Sequence, residues 1–402
     1  MRTALTRALR VLAECLAPYT TRLNPGWSTR TISPRLPRHS RLRDAIGSVL
    51  EPLEQRALMS TYYISPSGND NNSGTSTSSA WKSIGKVDSH HFNPGDSALF
   101  QGGQTFYGEL KFYGAGGSST NRVTIGSYGS GRATINSGTS TGAWSLNTTG
   151  ITFNNLKFVG TPGNISGQDG IRLENDTNNT IRSGFTVTNC DISGYAEGGI
   201  IFGSDSSTMA LNNISITNNN IYNNVMTGIE SYSVTTESNT NVLISNNLVH
   251  DNYGNNTSTV TGSGIMLQGL NGATVQYNSA YNNGAIGGNG LSGIWCYQSN
   301  KVVFQYNSAY NNHGLHGDDG EGFDFDADTS NSIMQYNYAG NNDGSGFMLG
   351  QWWNDNNETN DIIRYNISQN NGRKDNYSGI DVWGKIENAQ IYNNTGIHQP
   401  GD

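Results

Sequence analysis

Charged residues are scarce in this sequence of 402 residues, because Asp, Glu, Lys and Arg together make up only 13% of it. Lys and Glu, which helices use heavily, are few, whereas glycine occurs 51 times, so the composition excludes a mainly helical protein. No run of about 18 apolar residues occurs, and we therefore predict no membrane span. Only three cysteines are present. Cys15 lies near the start, and we expect Cys190 and Cys296 to be small core thiols rather than a disulfide.

The few charges are unevenly distributed. Residues 1–60 contain ten Arg, no Lys and four acidic residues, whereas residues 61–402 contain 27 acidic and 13 basic residues. The larger part of the chain is therefore acidic. Because nucleic-acid phosphates are bound by a basic surface, this charge argues against a nucleic-acid partner.

Glycine marks a repeat that runs through most of the chain. A Gly followed by an apolar residue and then by alternating residues recurs at intervals of 29, 29, 36, 29, 29, 24 and 33 residues. The glycines of this series are Gly170, Gly199, Gly228, Gly264, Gly293, Gly322, Gly346 and Gly379. Such a shared period, with polar turn residues between short β-branched runs, indicates short strands in stacked coils.

Two asparagine series share this period and predict how the coils are joined. They comprise Asn219, Asn247, Asn278, Asn307, Asn337 and Asn366, and Asn224, Asn252, Asn283, Asn312, Asn342 and Asn371. Asn side chains that repeat at the spacing of adjacent strands, about 4.8 Å, can hydrogen-bond to one another as a ladder. Asn also tolerates the left-handed backbone of such turns. Cys190 occupies the ladder position in its own coil.

The first 60 residues have the character of a targeting region, since they are rich in Arg and interrupted by proline. They end in Leu50-Glu-Pro-Leu-Glu-Gln-Arg-Ala-Leu-Met-Ser60. This segment resembles the Leu-Glu-x-Leu-Glu-x-Arg-x-Leu-Leu-Ser leader of exported planctomycete proteins, with Met59 where Leu is usual. The resemblance implies a secreted or cell-surface protein whose leader, residues 1–60, is disordered or removed.

Residues 61–120 contain three segments that suggest the start of a solenoid. These are Tyr62–Asp70, Trp81–Gly85 and Phe92–Gly103, the last with a Pro-Gly-Asp turn. Their arrangement resembles the N-terminal entry of right-handed parallel β-helix proteins of the pectate-lyase-like superfamily. The resemblance implies an all-β solenoid with a short capping helix, which we predict at residues 82–87. The β-helix repeats then occupy residues 121–402 with no evident C-terminal cap, so we expect either a minimal cap or a truncated chain.

The alternation of side chains along a strand predicts which residues point away from the core. The first and third residues after each repeat glycine are mostly apolar and are expected to point inward, so the second and fourth point outward. Aromatic and acidic residues occupy several outward positions. Aromatic rings can stack on sugars and carboxylates can bind hydroxyls, so we predict a polysaccharide partner. The expected substrate-binding residues are Glu230, Tyr232, Trp295, Tyr297, Trp383 and His313.

The most acidic stretch lies within one of these repeats, at residues 314–328. Asp324 and Asp326 are two residues apart on one face, which predicts carboxyl groups about 6–7 Å apart. Asp381 lies two coils further along. Two coils correspond to about 9–10 Å between Asp324 and Asp381. The separation of Asp324 from Asp326 and that from Asp381 both suit an acid and a base with water between them. The predicted catalytic residues are Asp324, Asp326, Asp381 and His316. Alternatively, Asp318, Asp319, Glu321 and Asp328 form a Ca²⁺ site with these aspartates, since Ca²⁺ takes several oxygen ligands.

These observations favour a β-helix protein that binds and cleaves a polysaccharide, in the manner of a glycoside hydrolase, and we expect it to act as a monomer. Two alternatives remain open. The first is a Ca²⁺-dependent lyase of acidic glycans, which needs a base such as Lys301 or Lys385 beside the acidic residues. The second is a non-enzymatic adhesin or surface-binding module in which the repeats are scaffold. Fold alone does not choose among them.

Overall fold

The protein was analysed as a computed structural model. The structure describes residues 59–114, 116–163, 168–234, 238–255, 261–286, 291–314, 319–351, 358–374 and 377–398. Within these ranges the chain is a parallel β-solenoid, and every paired strand is parallel to the equivalent strand of the next coil. The predicted leader, residues 1–60, lies almost wholly outside the described residues, so its boundary stays a prediction.

Three long sheets form the sides of the solenoid in the described part of the chain. Sheet I contains β1 (Thr61–Ile64), β2 (Ser97–Gln101), β5 (Val123–Tyr128), β8 (Ile151–Asn154), β11 (Ile181–Thr188), β14 (Ala210–Thr217), β17 (Asn239–Ser245), β20 (Leu270–Gln276), β23 (Asn300–Gln305), β26 (Ile333–Gln335), β30 (Ile362–Arg364) and β34 (Gln390–Tyr392). Sheet II contains β4 (Leu110–Tyr113), β7 (Ala143–Leu146), β10 (Ile171–Glu174), β13 (Gly198–Ser204), β16 (Thr227–Ser233), β19 (Ser263–Gln268), β22 (Ser292–Tyr297), β25 (Glu321–Asp326), β28 (Phe347–Gln351) and β32 (Ile380–Gly384).

Sheet III contains β3 (Thr105–Tyr107), β6 (Ala133–Gly138), β9 (Leu156–Gly160), β12 (Asp191–Ser193), β15 (Asn220–Tyr222), β18 (Leu248–His250), β21 (Ser279–Tyr281), β24 (Ser308–Tyr310), β27 (Tyr338–Gly340), β31 (Ile367–Gln369) and β35 (Thr395–Ile397). A further pair joins β29 (Glu358–Thr359) to β33 (Ile386–Glu387). The inward side chains of the three sheets form one apolar core along the solenoid axis. Within the described ranges, none of the helices has the length and apolar character that a membrane crossing requires.

The predicted capping helix is present at the N-terminal end as α1 (Ile84–Asp88), and it begins two residues later than predicted. The reason is that Ser83 is its N-cap and accepts a hydrogen bond from the Lys86 N–H. Lys82 lies before this cap, where its N–H and that of Ser83 donate to Asp70 Oδ1. A 3-10 helix also spans Thr77–Ser79. Ile84 of α1 is buried in the core.

The predicted asparagine ladders are confirmed along both corners of sheet III. In one of them Asn224 Nδ2 donates to Asn252 Oδ1 at 3.1 Å, and Asn252 donates in turn to Asn283 at 3.0 Å. Cys190 takes part at its predicted position, because its N–H donates to Asn219 Oδ1. Each buried side chain thereby satisfies backbone groups that a turn would otherwise leave without partners.

The ladder asparagines themselves are not the left-handed residues of these turns, contrary to prediction. The residue before each one has the positive φ, and at four turns it is a tyrosine: Tyr277, Tyr306, Tyr336 and Tyr365. Their rings stack on one another with centroids 5.1 to 5.3 Å apart. This stacking offsets part of the backbone strain that a bulky residue meets at positive φ.

Close approach between coils explains the repeat glycines. A Cβ on Gly228 would lie 2.6 Å from the Gly264 carbonyl oxygen and 3.0 Å from Asn252 Nδ2. The equivalent glycines meet the next coil in the same way. Glycine therefore recurs here because the ladder and the next coil occupy the space of a side chain.

Candidate functional site

The outward positions of sheet II line up in one column along the solenoid. The strand register places these side chains one above another in the order Trp144, Arg172, Ile201, Glu230, Met266, Trp295, Asp324, Met348 and Asp381. The alternation predicted from the sequence is confirmed, because Phe323 and Phe325 on either side of Asp324 lie in the core. We call this row the outward column.

The middle of the outward column is buried rather than solvated. Met266, Trp295, Asp324 and Met348 are 7%, 6%, 6% and 1% exposed. Alternation had predicted only that these side chains leave the core. The structure adds that the outer face of sheet II is itself covered here, so its polar groups are largely removed from water.

Three carboxyl groups come together on β25, and we call Glu321, Asp324 and Asp326 the carboxyl cluster. Glu321 and Asp324 are 1% and 6% exposed, whereas Asp326 is half-buried. Ser292 Oγ donates to Glu321 Oε2 at 2.9 Å, and the Ala327 N–H donates to Asp326 Oδ1 at 2.8 Å. Asp324 Oδ1 and Glu321 Oε1 have no hydrogen-bond partner among the described residues.

Burial sets the protonation of the cluster. Burial, followed by repulsion from Asp326 and Glu321, holds the pKa of Asp324 well above its ordinary value. Burial also raises the pKa of Asp326 to about 7, although the Ala327 N–H partly opposes it. Two carboxylates so close together repel each other. The cluster therefore holds its protons to higher pH than separate, exposed carboxyl groups would.

The predicted Ca²⁺ ligands are distributed differently. Glu321 belongs to the carboxyl cluster, and Asp319 lies close enough to raise the pKa of Asp324. Asp328 is instead paired with Gln351, whose Nε2 donates to Asp328 Oδ1 at 3.3 Å. Asp318 and the predicted catalytic His316 lie outside the described residues. Among the residues that are described, no three His, Cys, Asp or Glu side chains are arranged to hold a metal ion. Ca²⁺ binding at these positions stays a prediction.

The aromatic residues do not form the open strip that the sequence suggested. Trp295 is buried, and its Nε1 donates to Ser263 Oγ at 3.0 Å. It stacks on Tyr297 with centroids 5.2 Å apart, and Trp383 stacks on Tyr377 at the same separation. Tyr297 and Trp383 remain partly exposed. These two rings are therefore reachable by a ligand, whereas Trp295 supports Tyr297 from beneath.

Asp381 and His313 have partners outside the carboxyl cluster. The Ser378 N–H and Oγ donate to the two carboxylate oxygens of Asp381, at 2.9 and 2.7 Å. His313 Nδ1 lies 3.3 Å from Asp343 Oδ2, which Lys374 also contacts at 2.7 Å. Burial alone would raise the pKa of Asp343, but these hydrogen bonds lower it to about 2. Both predicted residues thus have local structural contacts.

Glu230 and Tyr232 belong to a separate group at the N-terminal end of sheet II. Burial, with repulsion from Asp169 and Glu197, raises the pKa of Glu230 to about 8. The Arg172 guanidinium carbon lies 5.9 Å from the Tyr232 ring centroid. This group adjoins a cleft of about 480 Å³ lined by Glu109, Ser140, Thr141, Trp144, Gln168, Asp169, Arg172 and Glu197.

Sequence reasoning did not select the residues of this cleft, although one signal was present. Arg172 and Glu174 stand at outward positions of the segment Gly170-Ile-Arg-Leu-Glu174, which has the same pattern as Gly322-Phe-Asp-Phe-Asp326. A charged pair at those two outward positions could have indicated a second site. Asp169 and Glu197 lie before their strands, where alternation carries no information.

Comparison with known proteins gives the family. The family model for the right handed beta helix region matches residues 182–396. No curated protein matches the chain. Among solved structures, the GH136 lacto-N-biosidase from Eubacterium ramulus is 17% identical over 84% of this chain and 68% of that chain, with a TM-score of 0.64.

Two further solved structures match over most of this chain. XylC in complex with xylose is 10% identical over 84% of this chain and 70% of that chain, with a TM-score of 0.50. The pectate lyase Pel9A is 17% identical over 84% of this chain and 78% of that chain, with a TM-score of 0.45. At such identities the likeness concerns the fold. The family match, which covers more than half of the chain, and the stacked parallel coils together show that this protein belongs to the right-handed β-helix family.

Proposed function

We propose that this protein binds a polysaccharide at the partly exposed edge of sheet II beside Asp326 and hydrolyses a glycosidic bond there. The observation that carries the proposal is the pair Asp324 and Asp326, two carboxyl groups on one face with both pKa values raised. One of them is buried and the other is partly open to solvent. Pairs of carboxyl groups with different environments are how glycosidases separate the roles of acid and base.

The two environments suggest the roles. Asp324, held protonated by burial, is the general acid that donates a proton to the leaving oxygen. Asp326, whose pKa is about 7, is the base that takes a proton from the attacking water once it is ionised. The acid needs its proton and the base must have lost its own, so activity requires a pH between the two pKa values.

The spacing of the pair suggests the stereochemistry. Two residues on one face of a strand are about 7 Å apart at their Cα atoms. Carboxyl groups about 6.5 to 9.5 Å apart leave room for a water molecule and give inversion at the anomeric carbon. We therefore expect an inverting hydrolase.

Two structural relatives support a carbohydrate ligand. One is described as a lacto-N-biosidase, and the other was solved in complex with xylose. Their likeness concerns the fold, and the proposal for this chain rests on its own carboxyl pair. Export, which the leader resemblance implies, stays a prediction that is consistent with a polysaccharide substrate.

The arrangement favours hydrolysis over the lyase alternative. The largest electrostatic influences on Asp324 come from carboxyl groups, namely Asp326, Glu321, Glu358 and Asp319. A lyase of acidic glycans needs a basic residue beside the scissile bond.

The test is to incubate the full chain with neutral and acidic polysaccharides, with and without a calcium chelator. Reducing ends and the ultraviolet absorbance of unsaturated uronates are followed together. We expect reducing ends without absorbance, lost in Asp324→Asn and in Asp326→Asn. The matched control is Asp251→Asn, a half-exposed carboxylate in the turn after β18 with φ 54°, which Asn adopts readily. Absorbance that disappears on chelation would instead establish a lyase, and no product would favour the binding module.

A further inference from the structure

The cleft at the N-terminal end of sheet II is distinct from the carboxyl cluster. Arg172 precedes Asp324 by five steps of the outward column. Because adjacent strands are about 4.8 Å apart, the two groups are separated by about 24 Å. The cleft volume of about 480 Å³ is within the range of small-molecule sites, roughly 300 to 1,000 Å³.

The charge of the cleft selects against anions. Arg172 Nε donates to Asp169 Oδ2 at 2.6 Å, and Arg172 Nη1 lies 3.7 Å from Glu174 Oε2. Its positive charge is therefore already matched by carboxylates. Glu109 also lines the cleft but is paired with Lys111 at 3.3 Å, whereas Glu197 lines it and adds negative charge. A phosphate or a uronate would meet net repulsion here.

One of the carboxyl groups that line the cleft has an oxygen without a partner. Asp169 is 3% exposed, and its Oδ1 has no hydrogen-bond partner in the described structure. Buried polar groups without partners are costly and uncommon in folded proteins. A ligand hydroxyl that donates to Asp169 Oδ1 would satisfy it.

Trp144 supplies a fixed, half-exposed ring in the same cleft. Its Nε1 donates to Glu174 Oε2 at 2.9 Å, and Tyr113 packs edge-on against it with centroids 5.5 Å apart. These contacts hold the indole in place before any ligand arrives. A preorganised ring reduces the entropy lost on binding.

From these observations we propose that the cleft binds an uncharged sugar unit, with Trp144 as the stacking platform and Asp169 and Arg172 as hydroxyl partners. That this sugar belongs to the chain cleaved at Asp324 and Asp326 rests on the proposed function. Since the two groups are about 24 Å apart along the sheet, only a glycan of several sugar units contacts both. Substrates shorter than this lose the binding energy of the cleft.

The experiment measures binding by calorimetry to the full chain carrying Asp326→Asn, so that no probe is cleaved. The probes are xylohexaose, cellohexaose and lacto-N-tetraose as neutral glycans, and hexagalacturonate as an acidic one. We expect at least one neutral probe to bind, with Trp144→Ala weakening it tenfold or more and hexagalacturonate not competing. Tyr107→Ala removes a ring that is 78% exposed on sheet III and should leave binding unchanged.

Three outcomes overturn the inference: no neutral probe binds, Trp144→Ala binds as tightly as its parent, or hexagalacturonate binds in a manner that depends on Trp144. If Trp144→Ala does not fold, Trp144→Phe and Glu197→Gln test the same site. The two proposals fail separately. Binding lost with Trp144 in a protein that cleaves nothing would reject only the hydrolase, whereas cleavage with an unchanged KM in Trp144→Ala would reject only the cleft.

Discussion

The protein should lose stability as the pH rises from 5 to 9, because burial raises the pKa of several of its carboxyl groups. The clearest pair is Glu358 and Asp361, both 0% exposed. The Ser332 N–H donates to Asp361 Oδ1 at 2.6 Å. Asp361 Oδ2 and both Glu358 oxygens accept no hydrogen bond from another described residue, and the protonated Glu358 carboxyl donates to Asp361. Burial raises the pKa of Glu358 to about 10 and that of Asp361 to about 7.

The direction in which stability changes with pH follows from the direction of these pKa shifts. Both folded-state pKa values lie above the ordinary values of 4.5 and 3.8, so the folded protein holds protons that the unfolded chain has released. The stabilisation is complete below about pH 4 and is lost as the pH passes 7 and approaches 10. For Asp361 the shift is about 3 pH units, which at 1.36 kcal/mol per unit gives at most about 4 kcal/mol.

Urea unfolding at pH 5, 7 and 9 measures this loss directly. We expect the midpoint to fall steadily for the wild type and less steeply for the double variant Glu358→Gln/Asp361→Asn, since neither amide can ionise. Asn at 361 keeps an oxygen for the Ser332 N–H. Asp251→Asn, in the turn after β18, loses only its contact with His250 and should retain the wild-type slope between pH 7 and 9. A wild-type midpoint that is constant or rises with pH, or a double variant with an unaltered slope, would refute the reasoning.

Three further predictions concern the coils and the site. Asn283→Ala removes buried hydrogen bonds to Asn252, Asn312 and Val249 and should reduce the free energy of unfolding by about 3 kcal/mol or more. Its control is Asn282→Gly, at φ 54°, which should be nearly neutral. Thermal unfolding measures both. Gly228→Ala should lower the melting temperature because its Cβ meets a backbone oxygen, whereas Gly396→Ala, with open space around it, should not. The rate of glycan cleavage should rise as the pH passes about 7 and Asp326 ionises, and fall at higher pH as Asp324 loses its proton; a rate that is greatest at pH 4 would contradict these roles.

The coil architecture was predictable because its causes are local and repeated. Gly228 and Asn252 each recur at one period, and the structure shows that they contact each other across the coils. A single contact of this kind, repeated in every coil, produces the same sequence signal many times. The outward direction of Asp324 was predictable for the same reason, since alternation along a strand is a property of the backbone.

Burial of the outer face was not predictable, because alternation says which side a residue faces but not what covers that side. Trp295 points outward as expected and is nevertheless buried. The contact between Ser378 and Asp381 was also missed, since Ser378 lies before the strand, outside the alternating positions. The contact between His313 and Asp343 had a signal, because these residues follow the ladder residues Asn312 and Asn342 in adjacent coils. Asp169 was missed because its role depends on Arg172 and on a cleft that forms only when coils stack.

The most direct test of the central claim compares reducing ends released from a neutral polysaccharide by the wild type, Asp324→Asn, Asp326→Asn and Asp251→Asn at pH 8. The proposed mechanism predicts product from the wild type and from Asp251→Asn. General acid or base catalysis contributes about 10² to 10⁴-fold, so each cluster variant should lose at least that much. Cleavage that persists in both Asp324→Asn and Asp326→Asn would contradict the account.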